Sequence, residues 1–136
     1  MHELRNNVEV RRAISPVVGV DNTPLVSQII DKGLYRALEF VIATGTLADA
    51  DATFTTLVEH GDAANLSDAA AVPDADLIGT EAGASFDIAD DDSVFKIGYK
   101  GSKRYVRLTI TPANNTGNAP VAAVALLARG MSAPVS

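Results

Sequence analysis

Hydrophobic and polar residues alternate along several stretches of the chain, which is the pattern of β-strands that bury one face. The clearest example is residues 104–112, where Val106, Leu108 and Ile110 alternate with Arg107 and threonines. The same alternation, or enrichment in β-branched and aromatic residues, predicts further strands at 8–14, 25–30, 35–44, 53–61 and 94–99. An apolar run at 120–130 fits a helix or a strand. Its opening proline, its closing glycine and its place after a row of strands favour a buried strand.

Turn-forming residues separate these stretches at 21–24, 31–33, 99–102 and 114–118. Several short strands at such spacing predict an all-β fold, either a sandwich or a small barrel. We favour a single-domain antiparallel β-sandwich, jelly-roll-like, over residues 1–136. A chain of 136 residues can build one such core and leaves little room for a second domain.

The segment 63–92 differs from its surroundings because it is rich in alanine and aspartate. We expect a long acidic loop there, with a short helical turn at 67–70 whose length Pro73 limits. Residues 1–7 and 131–136 are expected to be an extended N-terminal arm and a C-terminal tail. Ordering such ends costs entropy, so they gain a fixed conformation only by docking on something.

The chain contains no cysteine and two histidines, His2 and His60. Disulfides, zinc–thiolate sites, iron–sulfur clusters and thiol catalysis are therefore excluded. Aromatic residues make up 5% of the chain and tryptophan is absent, so the core must consist mainly of small aliphatic side chains. No uninterrupted apolar run is long enough to span a membrane, and residues 1–12 lack the apolar region of an ordinary secretory signal.

Charge is distributed unevenly along the chain. Residues 37–95 contain thirteen acidic residues and no lysine or arginine, whereas residues 96–136 contain six basic residues and no acidic one. Such blocks can pair inside one domain, provide a solubilising acidic face, or present opposite poles to neighbouring subunits or a larger surface. The net charge of −6 argues against a nucleic-acid partner, since phosphate binding needs a basic face.

Candidate chemical sites are few. The aspartates at 90–92 could ligate a hard cation, but acidic runs between strands are usually solvated turns, and we expect no metal. A calcium-loop pattern starting at Asp49 fails because Phe54 and His60 stand where glycine and glutamate are required. His60 beside Glu59 is more simply a polar histidine at a strand edge than a general base. No nucleophile elbow, Walker loop or dinucleotide fingerprint occurs. We predict no catalytic residue and no cofactor.

Three strings carry a resemblance to a known family. They are FT-x-x-(V/L)-E-x-G-D at 54–62, D-L-x-G at 76–79, and G-Y-x-G-x-K-R-Y-(V/I)-R at 98–107, where we expect a hairpin. Over residues 8–130 the chain resembles small structural proteins of tailed phages and prophages, encoded beside the major capsid protein. The resemblance implies a non-enzymatic head decoration (cement) protein that binds the major capsid protein on the outer surface of the head, at capsomer junctions. It also implies a homotrimer, no membrane partner, and synthesis in the bacterial cytoplasm, which the absence of cysteine suits.

On this basis we expect interfaces rather than a reaction centre. A basic tip would meet an acidic counterpart on a neighbouring copy, and arginines of the N-terminal region would touch the capsid, although the tip is equally well explained as a charged turn at a sheet edge. The residues concerned are Lys100, Lys103 and Arg104 for the tip, Asp90, Asp91 and Asp92 for its counterpart, and Arg5, Arg11 and Arg12 for the capsid contact. The alternatives are a head–tail connector or tail (tube or terminator) protein, and a glycan-binding head fibre.

Overall fold

The computed structural model describes residues 3–128, which form β-strands and two 3₁₀ helices of one turn each. The strands are β1 (Val8–Gly19), β2 (Leu25–Val26), β3 (Ile30–Asp31), β4 (Ala37–Thr44), β5 (Thr53–Gly61), β6 (Ala70–Ala71), β7 (Leu77–Ile78), β8 (Phe86–Asp87), β9 (Val94–Tyr99), β10 (Tyr105–Ala113) and β11 (Ala119–Ala128). The 3₁₀ helices are Asp74–Asp76 and Ile88–Asp90. The predicted C-terminal tail at 131–136 lies outside the described residues, as do the first two residues of the predicted arm.

The strands form two antiparallel sheets packed as a sandwich. The first sheet has the order β1–β11–β4–β9–β7, and the second has the order β2–β10–β5–β6, with β3 also paired to β10 and β8 to β5. Chain neighbours such as β4 and β5, or β10 and β11, lie in different sheets, so the chain repeatedly crosses from one layer to the other. The predicted all-β antiparallel sandwich is confirmed.

The core lies between the sheets and follows the alternation in the sequence. Inward-facing positions of the two central strands are buried as predicted, namely Leu38, Phe40 and Ile42 of β4 and Val106, Leu108 and Ile110 of β10. The part of the apolar run 120–130 that the structure describes is a strand, as expected, and its buried Ala123 and Ala125 face the core. Three phenylalanines stack at one end, with ring centroids 4.8 Å apart for Phe54 and Phe86 and 5.7 Å apart for Phe86 and Phe95.

The strand predicted at 25–30 is divided into β2 and β3. Between them the backbone N–H of Ser27 donates to the carbonyl of Leu108, and the Ser27 hydroxyl accepts from the N–H of Leu108. The next residue turns the other way, since the N–H of Gln28 donates to the carbonyl of Ala13 on β1. The strand breaks because its middle joins the second sheet to the edge of the first.

The helical turn predicted at 67–70 is wrong. The carboxylate of Asp68 instead accepts from the N–H groups of Asp62 and Ala63, at 2.8 and 3.2 Å, and folds the chain into turns. Helical turns do occur in the acidic loop, but later, at Asp74–Asp76 and Ile88–Asp90. The competing local carboxylate–backbone hydrogen bonds explain the difference.

The N-terminal residues 3–7 form a turn before β1. The N–H of Asn7 donates to the carbonyl of Leu4 at 2.9 Å, and the N–H of Asn6 donates to the carboxylate of Glu3 at 3.0 Å. Arg5 lies exposed in this turn. This part of the predicted arm therefore has local structure of its own.

Candidate functional site

The basic loop, defined as residues 100–104, connects β9 to β10. The predicted hairpin is wrong, because β9 pairs with β4 and β7 in the first sheet, whereas β10 pairs with β5, β2 and β3 in the second. The loop therefore carries the chain across one end of the sandwich. Two strands that follow each other in the sequence form a hairpin only if they lie in the same sheet. β9 and β10 lie in different sheets, with the core between them.

Tyr99 anchors the basic loop. Its ring is buried, and its hydroxyl accepts from the backbone N–H of Lys103 at 3.0 Å. The same hydroxyl lies 2.8 Å from Nδ1 of His60 on β5, and it donates its proton there in the tautomer that carries its hydrogen on Nε2. A Cβ at Gly101 would lie 2.5 Å from the hydroxyl oxygen, so only glycine fits at this close approach. Burial raises the pKa of the Tyr99 hydroxyl above its ordinary value.

Two cations of the basic loop already have carboxylate partners. The ammonium of Lys103 lies 2.7 Å from Asp62, and Arg104 binds Asp31 with two contacts, of 2.8 Å from Nε and 3.0 Å from Nη2. The hydrogen bond from Arg104 lowers the pKa of Asp31, and the hydrogen bond to Asp62 raises the pKa of Lys103. Lys100 is exposed, and no carboxylate of residues 3–128 lies within ion-pair distance of it.

These pairs show how the charge blocks of the sequence are used. A third pair joins Arg107 of β10 to Glu59 of β5 at 3.0 Å, across directly opposed positions of the two strands. In all three pairs, a cation from the basic C-terminal block meets an acid that comes earlier in the chain. Part of the segregated charge is therefore neutralised inside the subunit. Asp31 and Asp62, which sequence analysis did not single out, are the residues that do this for the basic loop.

The aspartate triplet 90–92 lies beyond the start of β9. Asp90 accepts from the N–H of Asp87 at 3.0 Å and Asp87 accepts from the N–H of Ala89 at 2.9 Å, a reciprocal cap on the second 3₁₀ helix. Asp91 accepts from the N–H of Leu47 at 2.7 Å. Asp92 is exposed and has a left-handed backbone, with φ of 49°. Two of the three carboxylates thus hold the loop in shape.

The basic loop and the aspartate triplet stand at opposite ends of β9. A six-residue strand is about 20 Å long, so the two groups cannot meet within one subunit. Any contact between them has to join different copies. The pairing predicted from the sequence stays a prediction in that form. Lys100 and Asp92 are its two members whose side chains have no polar partner within residues 3–128.

The predicted capsid-contacting arginines are divided between two environments. Arg5 and Arg12 are exposed. Arg11 instead donates to the main-chain carbonyl of Asp31 at 2.9 Å, and its guanidinium lies 5.6 Å from the ring centre of Tyr35. Asp31 therefore binds Arg11 through its backbone and Arg104 through its side chain, which ties β1 to the basic loop.

Within residues 3–128, no group of three or more histidine, aspartate or glutamate side chains is arranged to hold a metal ion. The helices described are single turns, and none is long and apolar enough to cross a membrane.

No family model and no curated protein matches the chain. Solved structures do match in fold. One is Clostridium thermocellum endo-1,4-β-D-xylanase 10B, as CBM22-1–GH10 modules complexed with xylohexaose, with 14% identity and a TM-score of 0.53. A second is infectious bursal disease virus, Gx strain, with 10% identity and a TM-score of 0.55. A third is the capsid of Ralstonia phage GP4, with 10% identity and a TM-score of 0.50.

The extent of these matches differs. The alignments cover 95%, 93% and 97% of this chain, but only 26% of the xylanase chain and 33% of the bursal disease virus chain. The match to the phage GP4 capsid covers 90% of that chain. At such low identity these similarities establish a shared β-sandwich fold.

Proposed function

We propose that this chain is a structural protein of a virion, and that within the virion it is a non-enzymatic head decoration, or cement, protein. It would bind the major capsid protein on the outer surface of the head, at capsomer junctions, and stabilise the shell. The observation that carries the proposal is the fold shared along almost the whole of both chains with a chain of the phage GP4 capsid. The resemblance of residues 8–130 to phage structural proteins supports the same role independently.

The charged loops suit a protein that docks on a larger surface. Exposed cations lie in the N-terminal turn, on β1 and in the basic loop, at Arg5, Arg12 and Lys100. Cations at a surface steer encounter with an acidic patch and select its orientation. Many identical contacts on one shell add up, so each contact need not be strong.

The decoration role does not depend on the oligomeric state in which the protein binds the head. The resemblance implies a trimer at three-fold positions, and a contact between the basic tip and the aspartate triplet of a neighbour would suit such a ring. Because Lys103 and Arg104 already have carboxylate partners inside the subunit, that ring contact would have to depend on Lys100. We therefore do not rest the decoration role on a trimer.

The decoration role is tested by co-sedimentation of the full-length protein with purified heads of its phage, followed by counting bound copies per particle. A copy number comparable with that of the major capsid protein is expected. The few copies of a neck or tail ring would favour a connector or tail protein instead, and no binding would overturn the proposal. Lys100→Glu is expected to weaken binding, whereas Thr111→Glu, which adds the same side chain on the outer face of β10, should not.

The xylanase match favours one further candidate, a glycan-binding head fibre, because that structure contains bound xylohexaose. Sugar rings usually stack on exposed aromatic faces. Here the half-buried Tyr105 ring already lies 5.2 Å from the guanidinium of Arg104, and Tyr35 packs against the core. Titration with xylohexaose is expected to show no binding, and saturable binding would favour the fibre.

A further inference from the structure

The outward-facing side of the first sheet is mostly apolar along its two central strands. Successive residues of β11 alternate between the core and this side, where the central strands β4 and β11 lie next to each other. The apolar outward-facing residues that they contribute, called here the apolar face, are Ala37, Val41, Ala43, Ala122, Val124 and Leu126, and Glu39 of β4 lies among them. Val10 on β1, which is 59% exposed and opposite Leu126, extends the apolar face to the sheet edge, where the exposed Arg12 lies opposite Val124.

The second sheet shows what a solvent-facing side looks like in this protein. Its outward positions include Thr55, Thr109 and Thr111, together with the Arg107–Glu59 ion pair. An antiparallel sheet with one face in water normally alternates apolar inward and polar outward, as the second sheet does. The first sheet departs from that pattern, and a contiguous exposed apolar surface marks a place that another surface covers.

The apolar face is recessed at both ends. One hollow, of about 370 Å³, is lined by residues including Pro16, Val18 and Pro120. The other, of about 350 Å³, lies between Val8, Ile78 and the far ends of β4 and β11, and charged residues, namely Arg36, Glu39 and Lys100, also line it. Two shallow hollows flanking a flatter centre can receive side chains from an opposing surface.

Two opposite charges lie near each other on this side of the sheet, Glu39 within the apolar face on β4 and Lys96 at its border on β9. The carboxylate of Glu39 lies above Gly98, where an added Cβ would be only 2.8 Å from Oε1. Lys96 is exposed and opposite Val41, one diagonal position away from Glu39. The two side chains do not form an ion pair within the subunit. Burial raises the pKa of Glu39 and the charge of Lys96 opposes that effect, so an additional cation facing Glu39 would stabilise its charged form.

We propose that a second copy of this chain packs its own apolar face against this one about a two-fold axis. An axis passing between Glu39 and Lys96 places each Glu39 opposite Lys96 of the second copy, so one operation satisfies both charges twice. Self-complementarity of this kind is what an isologous interface requires.

The size of the surface is adequate for such a pair. The eight paired residues of β4 and β11 extend about 26 Å, and the four strands from β1 to β9 are about 19 Å across. The outward side of these four strands therefore measures roughly 500 Å², and complete overlap of two copies would bury about 1,000 Å² in total, which is the lower bound for a specific interface.

The mass of the full-length protein in solution tests the proposal, by sedimentation equilibrium and light scattering over a range of concentrations. A dimer is expected. Val124→Glu places a charge at the centre of the apolar face, on a side chain that is already 37% exposed, and should raise the dimer dissociation constant at least tenfold without unfolding the subunit. Thr111→Glu is the matched control and should leave the dimer unchanged, and circular dichroism verifies the fold of both.

A charge exchange tests the position of the axis. Glu39→Lys and Lys96→Glu are each expected to weaken the dimer, and the double variant is expected to restore it. A wild-type monomer at the highest soluble concentration would overturn the proposal, as would a trimer insensitive to Val124→Glu. If that monomer bound phage heads and lost binding in Val124→Glu, the apolar face would belong to the capsid contact. The mass measurement needs no heads, so its outcome does not depend on the decoration role.

Discussion

Replacing Tyr99 by phenylalanine isolates the contact that fixes the basic loop. The ring is 1% exposed and remains in the core, so the substitution removes the hydroxyl and little else. Two hydrogen bonds are lost, the one accepted from the N–H of Lys103 at 3.0 Å and the one shared with Nδ1 of His60 at 2.8 Å. The side chain of residue 99 then no longer links the end of β9 to Lys103 of the basic loop and to His60 of β5.

The expected cost follows from these two bonds. A neutral intramolecular hydrogen bond contributes about 1 kcal/mol net, and a buried group left without a partner costs somewhat more. Both partners of Tyr99 are partly buried, so water replaces the lost hydroxyl only in part. We therefore expect Tyr99→Phe to lower the free energy of unfolding by about 2 kcal/mol.

The measurement is urea unfolding at neutral pH, with hydrogen exchange at the amide of Lys103 as a local readout. Tyr105→Phe is the matched control, because Tyr105 starts the next strand and its hydroxyl makes no hydrogen bond to residues 3–128. We expect the control to change stability by less than about 0.5 kcal/mol. Equal effects of the two substitutions, with unchanged exchange at Lys103, would refute the anchoring role of Tyr99.

Three further predictions concern stability. Burial raises the pKa of the Tyr99 hydroxyl above 10.0, so its contribution to the free energy of unfolding is complete below pH 10 and is lost as pH rises through the folded-state pKa. Tyr99→Phe should therefore reduce the loss of stability at alkaline pH that unfolding titrations measure. Hydrogen bonds from the N–H groups of Asp62 and Ala63 lower the pKa of Asp68 below 3.8, so the stability that this carboxylate contributes is lost as pH falls below about 4. Asp68→Asn should therefore make the free energy of unfolding in urea less sensitive to acid. Leu108→Ala should lower the free energy of unfolding by about 3 kcal/mol, because Leu108 is fully buried.

Each of these three predictions has a result that contradicts it. An alkaline transition of the same size in Tyr99→Phe would assign that transition to another group. Acid unfolding of Asp68→Asn identical to wild type at each pH would mean that its two backbone hydrogen bonds persist in the unfolded chain or contribute nothing. A loss below about 1 kcal/mol for Leu108→Ala would show that the core collapses around the missing side chain.

The parts of the fold that depend on local sequence could be predicted. Alternation in β4 and β10 places every second residue in the core, and that period is visible in any short window of the sequence. The break between β2 and β3 could not be foreseen, because it depends on a bond between Ser27 and Leu108, 81 positions apart. The hairpin error has the same origin, since only the sandwich as a whole shows that β9 and β10 lie in different sheets.

In the candidate surfaces, too, local sequence predicts some features, and others depend on residues that are far apart in the chain. The sequence identifies Lys103 and Arg104 as a basic cluster because they are adjacent. Their partners Asp62 and Asp31 are 41 and 73 positions away, and nothing local connects them. The apolar face was missed for another reason. Outward valines and alanines on β4 and β11 look like additional core residues until the sheet order shows which side no other described strand covers.

A two-fold dimer joined through the apolar face would also specify how the proposed decoration protein meets a shell. The basic loop and the aspartate triplet lie beyond opposite ends of β9, away from the centre of the apolar face, so the dimer presents each of them twice, related by its axis. Such an object matches a two-fold or local two-fold junction between capsomers, whereas a three-fold junction requires a trimer. The two-fold dimer therefore predicts that the copies bound per particle follow the number of two-fold junctions. Copies that follow the number of three-fold junctions, with a trimeric mass in solution, would instead support the ring of basic loops and aspartate triplets and leave the apolar face to contact the capsid.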